Sequence, residues 1–209
     1  MARSRDISKV LSSNSTLATD AEVAASYLTT ASASTVYQTK ASTGLTWIAT
    51  NNFDQGSTGI SFDNVFTSSY RNYRIVLSSL SGNGATQNLR FRLRKSAVDN
   101  SSSIYYIQYL SVNSTSVSGA RVSTQTSWNV GDVRDQGQMA SVLEVFAPNV
   151  STQKTNLMNL YMSNSTTEPY GVYQVETHNL DSNANFDGFS IYPVSGNMYG
   201  YATVYGYKE

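Results

Sequence analysis

From Thr46 onward the chain alternates apolar and polar residues with a period of two. In Leu89-Arg90-Phe91-Arg92-Leu93-Arg94 three apolar side chains fall on one face and three arginines on the other, the pattern of an antiparallel strand with one wet side. Tyr73, Ile75 and Leu77 alternate in the same way. The same pattern predicts strands over Thr46–Thr50, Gly59–Phe62, Ile104–Val112, Thr124–Val130, Met139–Phe146, Asn156–Met162, Val172–His178, Gly188–Tyr192 and Met198–Tyr207. Between them lie SGNG, VNSTSVSG, APNVS, NSTTEP and LDSNANFDG, all rich in residues that favour turns. About ten strands at this spacing predict a mainly β fold, an antiparallel β-sandwich of jelly-roll type, over residues 44–209.

The last predicted strand has the clearest division of faces. Tyr199, Tyr201, Thr203, Tyr205 and Tyr207 share one side, while Gly200, Ala202, Val204 and Gly206 share the other. The tyrosines Tyr199, Tyr201, Tyr205 and Tyr207 are assigned to subunit packing, and the small face is expected to let another backbone, sheet or subunit approach closely.

Before Gly44 the pattern changes. That segment holds no glycine and no proline, whereas all 13 glycines and all 3 prolines come from Gly44 onward, so the boundary divides residues 1–43 from 44–209. Ile7, Val10 and Leu11 recur at helical spacing. Thr19 and Glu22 match a capping box, with Val23, Ala24, Tyr27 and Leu28 forming an apolar stripe behind it. Two short amphipathic helices without a core of their own suit a docking arm, with Ile7, Val10, Leu11, Val23 and Leu28 as its contacts. The decapeptide YLTTASASTV is followed directly by YQTKASTGLT, with Tyr27 and Tyr37 leading the two copies. Each copy has one large side chain among small ones and gains too little contact alone to offset the entropy of ordering. Several chains wound side by side would bring Tyr27 and Tyr37 together, so the repeat predicts a homo-oligomer.

Composition removes several classes of function. Of 209 residues 13% are charged, with 14 basic and 14 acidic side chains, so no net field attracts nucleic acid or an anionic membrane. There is no cysteine, hence no disulfide framework and no thiolate ligand. The start MARSRDISKV lacks an apolar core, and no run of apolar residues is long enough to span a bilayer, so synthesis in a cytoplasm without membrane insertion is expected. Ser, Thr and Asn make up about a third of the chain and tyrosine, at 15 residues, dominates the aromatics, a palette suited to adaptable contact surfaces.

Catalysis has little to work with. His178 is the only histidine, no nucleophile-elbow motif occurs, and nothing pairs Asp132, Asp135, Glu144, Glu168 or Glu176 across a cleft. No catalytic, cofactor or metal residue is assigned; the alternating Asp181, Asn183, Asn185 and Asp187 read as a turn-rich loop. Arg90, Arg92, Arg94 and Lys95 read as a solvated strand face, or as salt bridges to a neighbouring subunit, rather than a grip on phosphate or lipopolysaccharide. Trp128, Tyr170 and Tyr173 are the candidate glycan contacts, because aromatic faces stack on pyranose rings, although core packing suits each of them too.

The opening SRDISKVLSSNSTLATDAEVAASYLTTASASTVYQTKAS resembles the N-terminal regions of tail fibres and related virion surface structural proteins of tailed bacteriophages. FDNVFTSSYRNYRIVLSSL, LRFRLR and the closing ATVYGYKE resemble β-rich domains of the same class, especially in phages of cyanobacteria and other marine bacteria. The resemblance implies a homotrimeric virion protein made in the host cytoplasm. Its N-terminal arm would attach to other virion proteins of the tail or capsid, and its β-domain would face outward toward host surface glycans. A short non-enzymatic tail fibre is the first expectation, a capsid decoration or head fibre stabilising the shell is the alternative, and a glycan-degrading tailspike-like enzyme stands last.

Overall fold

The structure, a computed structural model, describes residues 44–83, 87–113, 115–133, 138–164, 169–178 and 185–208; for residues 55–56, 79–83, 113, 164 and 169–178 it describes the backbone. The helices expected before Gly44, with Ile7, Val10, Leu11, Val23, Leu28, Tyr27 and Tyr37, lie outside the described residues. One compact unit runs from Gly44 to Glu209.

That unit is mainly β. Its strands are β1 (Gly44–Ser57), β2 (Ile60–Phe62), β3 (Asn72–Asn83), β4 (Gln87–Lys95), β5 (Val98–Asp99), β6 (Tyr105–Asn113), β7 (Ser116–Gln125), β8 (Trp128–Val133), β9 (Gln138–Phe146), β10 (Asn156–Asn164), β11 (Pro169–His178), β12 (Gly188–Pro193) and β13 (Asn197–Lys208). They form an eight-stranded sheet ordered β1-β13-β3-β9-β10-β11-β6-β7 and a five-stranded sheet in which β2-β12-β4-β5 run side by side and β8 also pairs β4. Every pairing is antiparallel.

The apolar faces of both sheets contribute to one core. Tyr73, Ile75, Leu77, Leu143, Val145 and Val204 come from the larger sheet, and Leu89, Phe91, Leu93, Trp128, Phe189 and Ile191 from the smaller. Phe189 is a hub: Phe62, Phe91 and Phe66 stack on it with ring centroids 4.8, 4.9 and 5.6 Å away. Phe66 also meets Tyr73 of the larger sheet at 4.7 Å, so the aromatic chain joins one sheet to the other. Full burial of each such ring contributes on the order of 2–3 kcal/mol.

Two expectations change. The VNSTSVSG segment, expected as a turn, turns back after Asn113 and already begins β7 at Ser116, whereas Thr124–Val130, expected as one strand, is broken between β7 and β8. β7 is an edge strand with nearly every side chain exposed, so neither of its faces imposes an apolar period. Of the backbone, sheet or subunit expected against the small face of β13, it is the chain's own core that packs there: Ala202 and Val204 are fully buried, and the Tyr70 ring lies where a side chain on Gly206 would stand.

One tight turn uses unusual residues. β4 and β5 are joined by Ser96 and Ala97 alone, both left-handed with φ of 52° and 63°. Such a two-residue hairpin ordinarily takes Asn-Gly. Here Asp187 accepts the Ser96 N–H at 2.8 Å, and Arg94 donates to the Ala97 carbonyl and bridges Asp63 and Asp99.

Candidate functional site

The outer face of the eight-stranded sheet is the surface that departs most from an ordinary wet face. Its origin is visible in β10. Alternation puts Leu157, Asn159, Tyr161 and Ser163 inward and Met158, Leu160 and Met162 outward. The strand therefore buries an asparagine and a serine while it exposes two methionines and a leucine. The buried Asn159 is satisfied there: it accepts from the Ser141 hydroxyl at 2.6 Å and donates to the Val130 carbonyl at 3.0 Å. Core polar groups survive when every hydrogen bond is made, so this pair locks β9, β10 and β8 together.

Outside, the exposed apolar residues line up across strands. Register sets Val76 of β3 beside Val142 of β9, and Val142 beside Leu160 of β10; through the backbone of Tyr173 in β11 the row reaches Leu110 of β6. A second row runs from Ala140 through Met162 and Gly171 to Val112 and Val117 at the β7 edge. Leu160 is 56% exposed and Met162 66%. Toward the opposite edge lie Trp47, 62% exposed on β1, and the β13 tyrosines Tyr199 and Tyr201. Leu110, Val112, Val117 and Val142 of these rows are 49%, 46%, 66% and 37% exposed, so large apolar side chains recur on this one sheet face rather than standing singly.

The tyrosine face of β13 is thus solvent-facing, as its alternation requires. Tyr199 and Tyr201 are exposed and Tyr205 and Tyr207 partly so. Tyr207 donates its hydroxyl to Glu144 Oε2 at 2.7 Å, and Arg74 grips the other oxygen of the same carboxylate, with Nε at 2.6 Å. Burial pushes the Tyr207 phenol up, and its bond to Glu144 adds to the shift. Beside it Trp47 donates its indole N–H to Thr50 Oγ1 at 3.0 Å, and that hydroxyl pairs with Thr203 at 3.1 Å. Arg74 and Glu144 on this part of the face neutralise each other.

The expected glycan contacts fare differently. Trp128 is completely buried, edge-on to Tyr105 at 5.1 Å and tilted against Phe91 at 5.8 Å, so it packs the core and offers no face to a sugar. Tyr170 and Tyr173 belong to β11, whose backbone alone is described. Sequence reading passed over Trp47, because a lone tryptophan at the start of a strand gives no sign of which way it points.

Of the acidic residues considered for catalysis, Glu144 is engaged by Arg74 and Tyr207, and Asp132 lies 3.5 Å from the Tyr161 hydroxyl. His178 sits in β11 opposite Tyr105 of β6 by backbone register. Two of the β4 arginines are held by neighbours: Arg94 by Asp63 and Asp99, and Arg92 by the Thr126 carbonyl and the Tyr192 ring. Among the described residues no three His, Cys, Asp or Glu side chains gather as a metal site. No protein-family model matches this sequence, and no curated protein is significantly similar to it.

Proposed function

We propose that this chain is a non-enzymatic structural protein of a tailed-phage virion that works as a self-associated assembly, with the outer face of the eight-stranded sheet as the contact between copies. The observation that carries the reading is the inverted β10, which turns Met158, Leu160 and Met162 to solvent and Asn159 to the core. Exposing a row of large apolar side chains is unfavourable unless another surface covers it. The balanced 14 basic and 14 acidic residues set no long-range repulsion between copies.

Threefold order, attachment to the tail by residues 1–43 and the outward role of the β-domain rest on the resemblance of the N-terminal sequence and later segments to tail fibres. In this reading the two sheets form a jelly-roll-like sandwich behind a helical arm, and Tyr199, Tyr201, Tyr205 and Tyr207 share the subunit contact with the apolar rows.

Light scattering on the full chain at micromolar concentration tests it. The wild type is expected at about three times the 22.8 kDa protomer mass. Leu160→Arg combined with Met162→Arg places two charges at the centre of the contact and is expected to return the protomer mass, because burying unpaired charge costs several kcal/mol. A wild type that is monomeric, or a double variant that assembles like the wild type, overturns the assignment.

A further inference from the structure

The smaller sheet has an outer surface of opposite character. Across β2, β12 and β4 the register places Ser61, Ser190 and Arg92 in one row. Over that row opens a shallow cleft of about 340 Å³, walled by Thr58, Tyr192 and Asp99. This is the small end of the range for ligand sites and leaves room for a single sugar ring.

Three features of the cleft are unusual together. Arg92 and Asp99 face each other at 4.0 Å, too far for a hydrogen bond, with both side chains partly exposed. Asp99 directs its other oxygen to Arg94, while Arg92 uses Nε on the Thr126 carbonyl and lies 5.0 Å over the Tyr192 ring. One oxygen of Asp99 and the outer nitrogens of Arg92 are thus turned toward the same opening. The third feature is Ser190. It is 5% exposed at the cleft floor, and its hydroxyl is buried without a hydrogen-bond partner. A buried orphan hydroxyl costs on the order of 1–3 kcal/mol and calls for an explanation.

We infer that this cleft binds a neutral saccharide, one pyranose ring lying over the Arg92–Asp99 pair with a hydroxyl directed toward Ser190. The chemistry selects the class. An anion would meet Asp99 and a cation would meet Arg92, whereas neighbouring sugar hydroxyls donate and accept at once and match a donor and an acceptor held about 4 Å apart. Thr58, Ser61 and Tyr192 add hydroxyls around the rim. Gly59 builds the wall: a Cβ there would come within 2.8 Å of Tyr192 Cβ, so only glycine lets the approach to β2 lie this close to β12. The cleft lies on the sheet that does not carry the proposed subunit contact, and the inference does not depend on that contact.

Saturation-transfer difference NMR on the full chain tests the proposal, with the methyl glycosides of glucose, galactose, mannose and N-acetylglucosamine as probes and galacturonate and glucosamine as charged comparators. At least one neutral glycoside is expected to receive saturation, more strongly than either charged sugar. Ser190→Val, which closes the floor, is expected to weaken binding at least fivefold, and Ser61→Ala, at an exposed position that leaves folding intact, at least twofold. Lys154→Ala, at an exposed loop position outside the cleft lining, is expected to change nothing. Absence of transfer to every neutral probe, preference for a charged sugar, or wild-type binding by both cleft variants overturns the proposal. A monomeric chain that still binds a neutral sugar refutes the subunit contact alone.

Discussion

Tyr105→Phe removes one oxygen atom and tests how the core and the smaller sheet are tied together. β4 is paired by β8 as far as Phe91 and by β5 from Arg94, which leaves the Leu93 N–H between the two ladders without a strand partner. The Tyr105 hydroxyl fills that gap, accepting from Leu93 at 3.1 Å and donating to the Asn100 carbonyl at 2.7 Å. Because Tyr105 is 0% exposed, no water replaces the lost oxygen. The variant leaves a donor and an acceptor unsatisfied, at about 1–3 kcal/mol each for a fully desolvated group. The Asn100 carbonyl is nearer solvent, so a total of about 2–4 kcal/mol is expected. Urea unfolding followed by circular dichroism should show a lower midpoint with an unchanged slope. A loss below about 1 kcal/mol would refute the argument that this hydroxyl bridges the two ladders. The phenol also sets an alkaline limit. Burial pushes Tyr105 and Tyr73 above the ordinary value of 10.0. Below that pH both states keep these protons and stability is full. Above it the unfolded chain ionises while the folded one does not, so stability falls as pH rises, and Tyr105→Phe should make that fall shallower.

Two further substitutions follow from the backbone. Ala97→Gly relieves a left-handed alanine at φ 63° in the β4–β5 hairpin and should stabilise the domain by roughly 0.5–1 kcal/mol, about 2 °C in calorimetry; an unchanged or lower Tm would show that the Arg94 and Asp187 contacts hold the turn without strain. Gly206→Ala sets a methyl group within 2.4–2.7 Å of the Tyr70 ring and should cost about 1–3 kcal/mol in urea unfolding, with a loss under 0.5 kcal/mol meaning that Tyr70 swings away freely.

Much of the fold was legible because a strand's period is local. In β4 the alternation of Leu89, Phe91 and Leu93 with Arg90, Arg92 and Arg94 matches the buried and open faces, and in β13 the tyrosines and the small residues separate as their spacing requires. Such strands carry one apolar set and one polar set, so the inward face follows directly. β7 carries neither, being an edge wet on both sides, and its first residues looked like a turn. Trp128 and Trp47 illustrate the same gap: one is wholly buried and the other mostly exposed, and nothing within a few residues of either distinguishes them.

Local alternation along the chain is enough for the class of structure: strands, the turns between most of them, and which residues of each strand share a side. Which side faces the core, and which strands become neighbours, came only with tertiary structure. β1 pairs with β13 from the far end of the chain, and β3 pairs with β9 across two intervening hairpins. In β10 both sets contain apolar residues, so the period divides Met158, Leu160 and Met162 from Leu157, Asn159 and Tyr161 without ranking them. The choice is made by Ser141 of β9 and the Val130 carbonyl of β8, which reach Asn159 from the two preceding strands once the sheets are packed and hold it inside. The cleft of the smaller sheet arises in the same way, since Ser61, Arg92 and Ser190 come from three separate strands and meet only through their register.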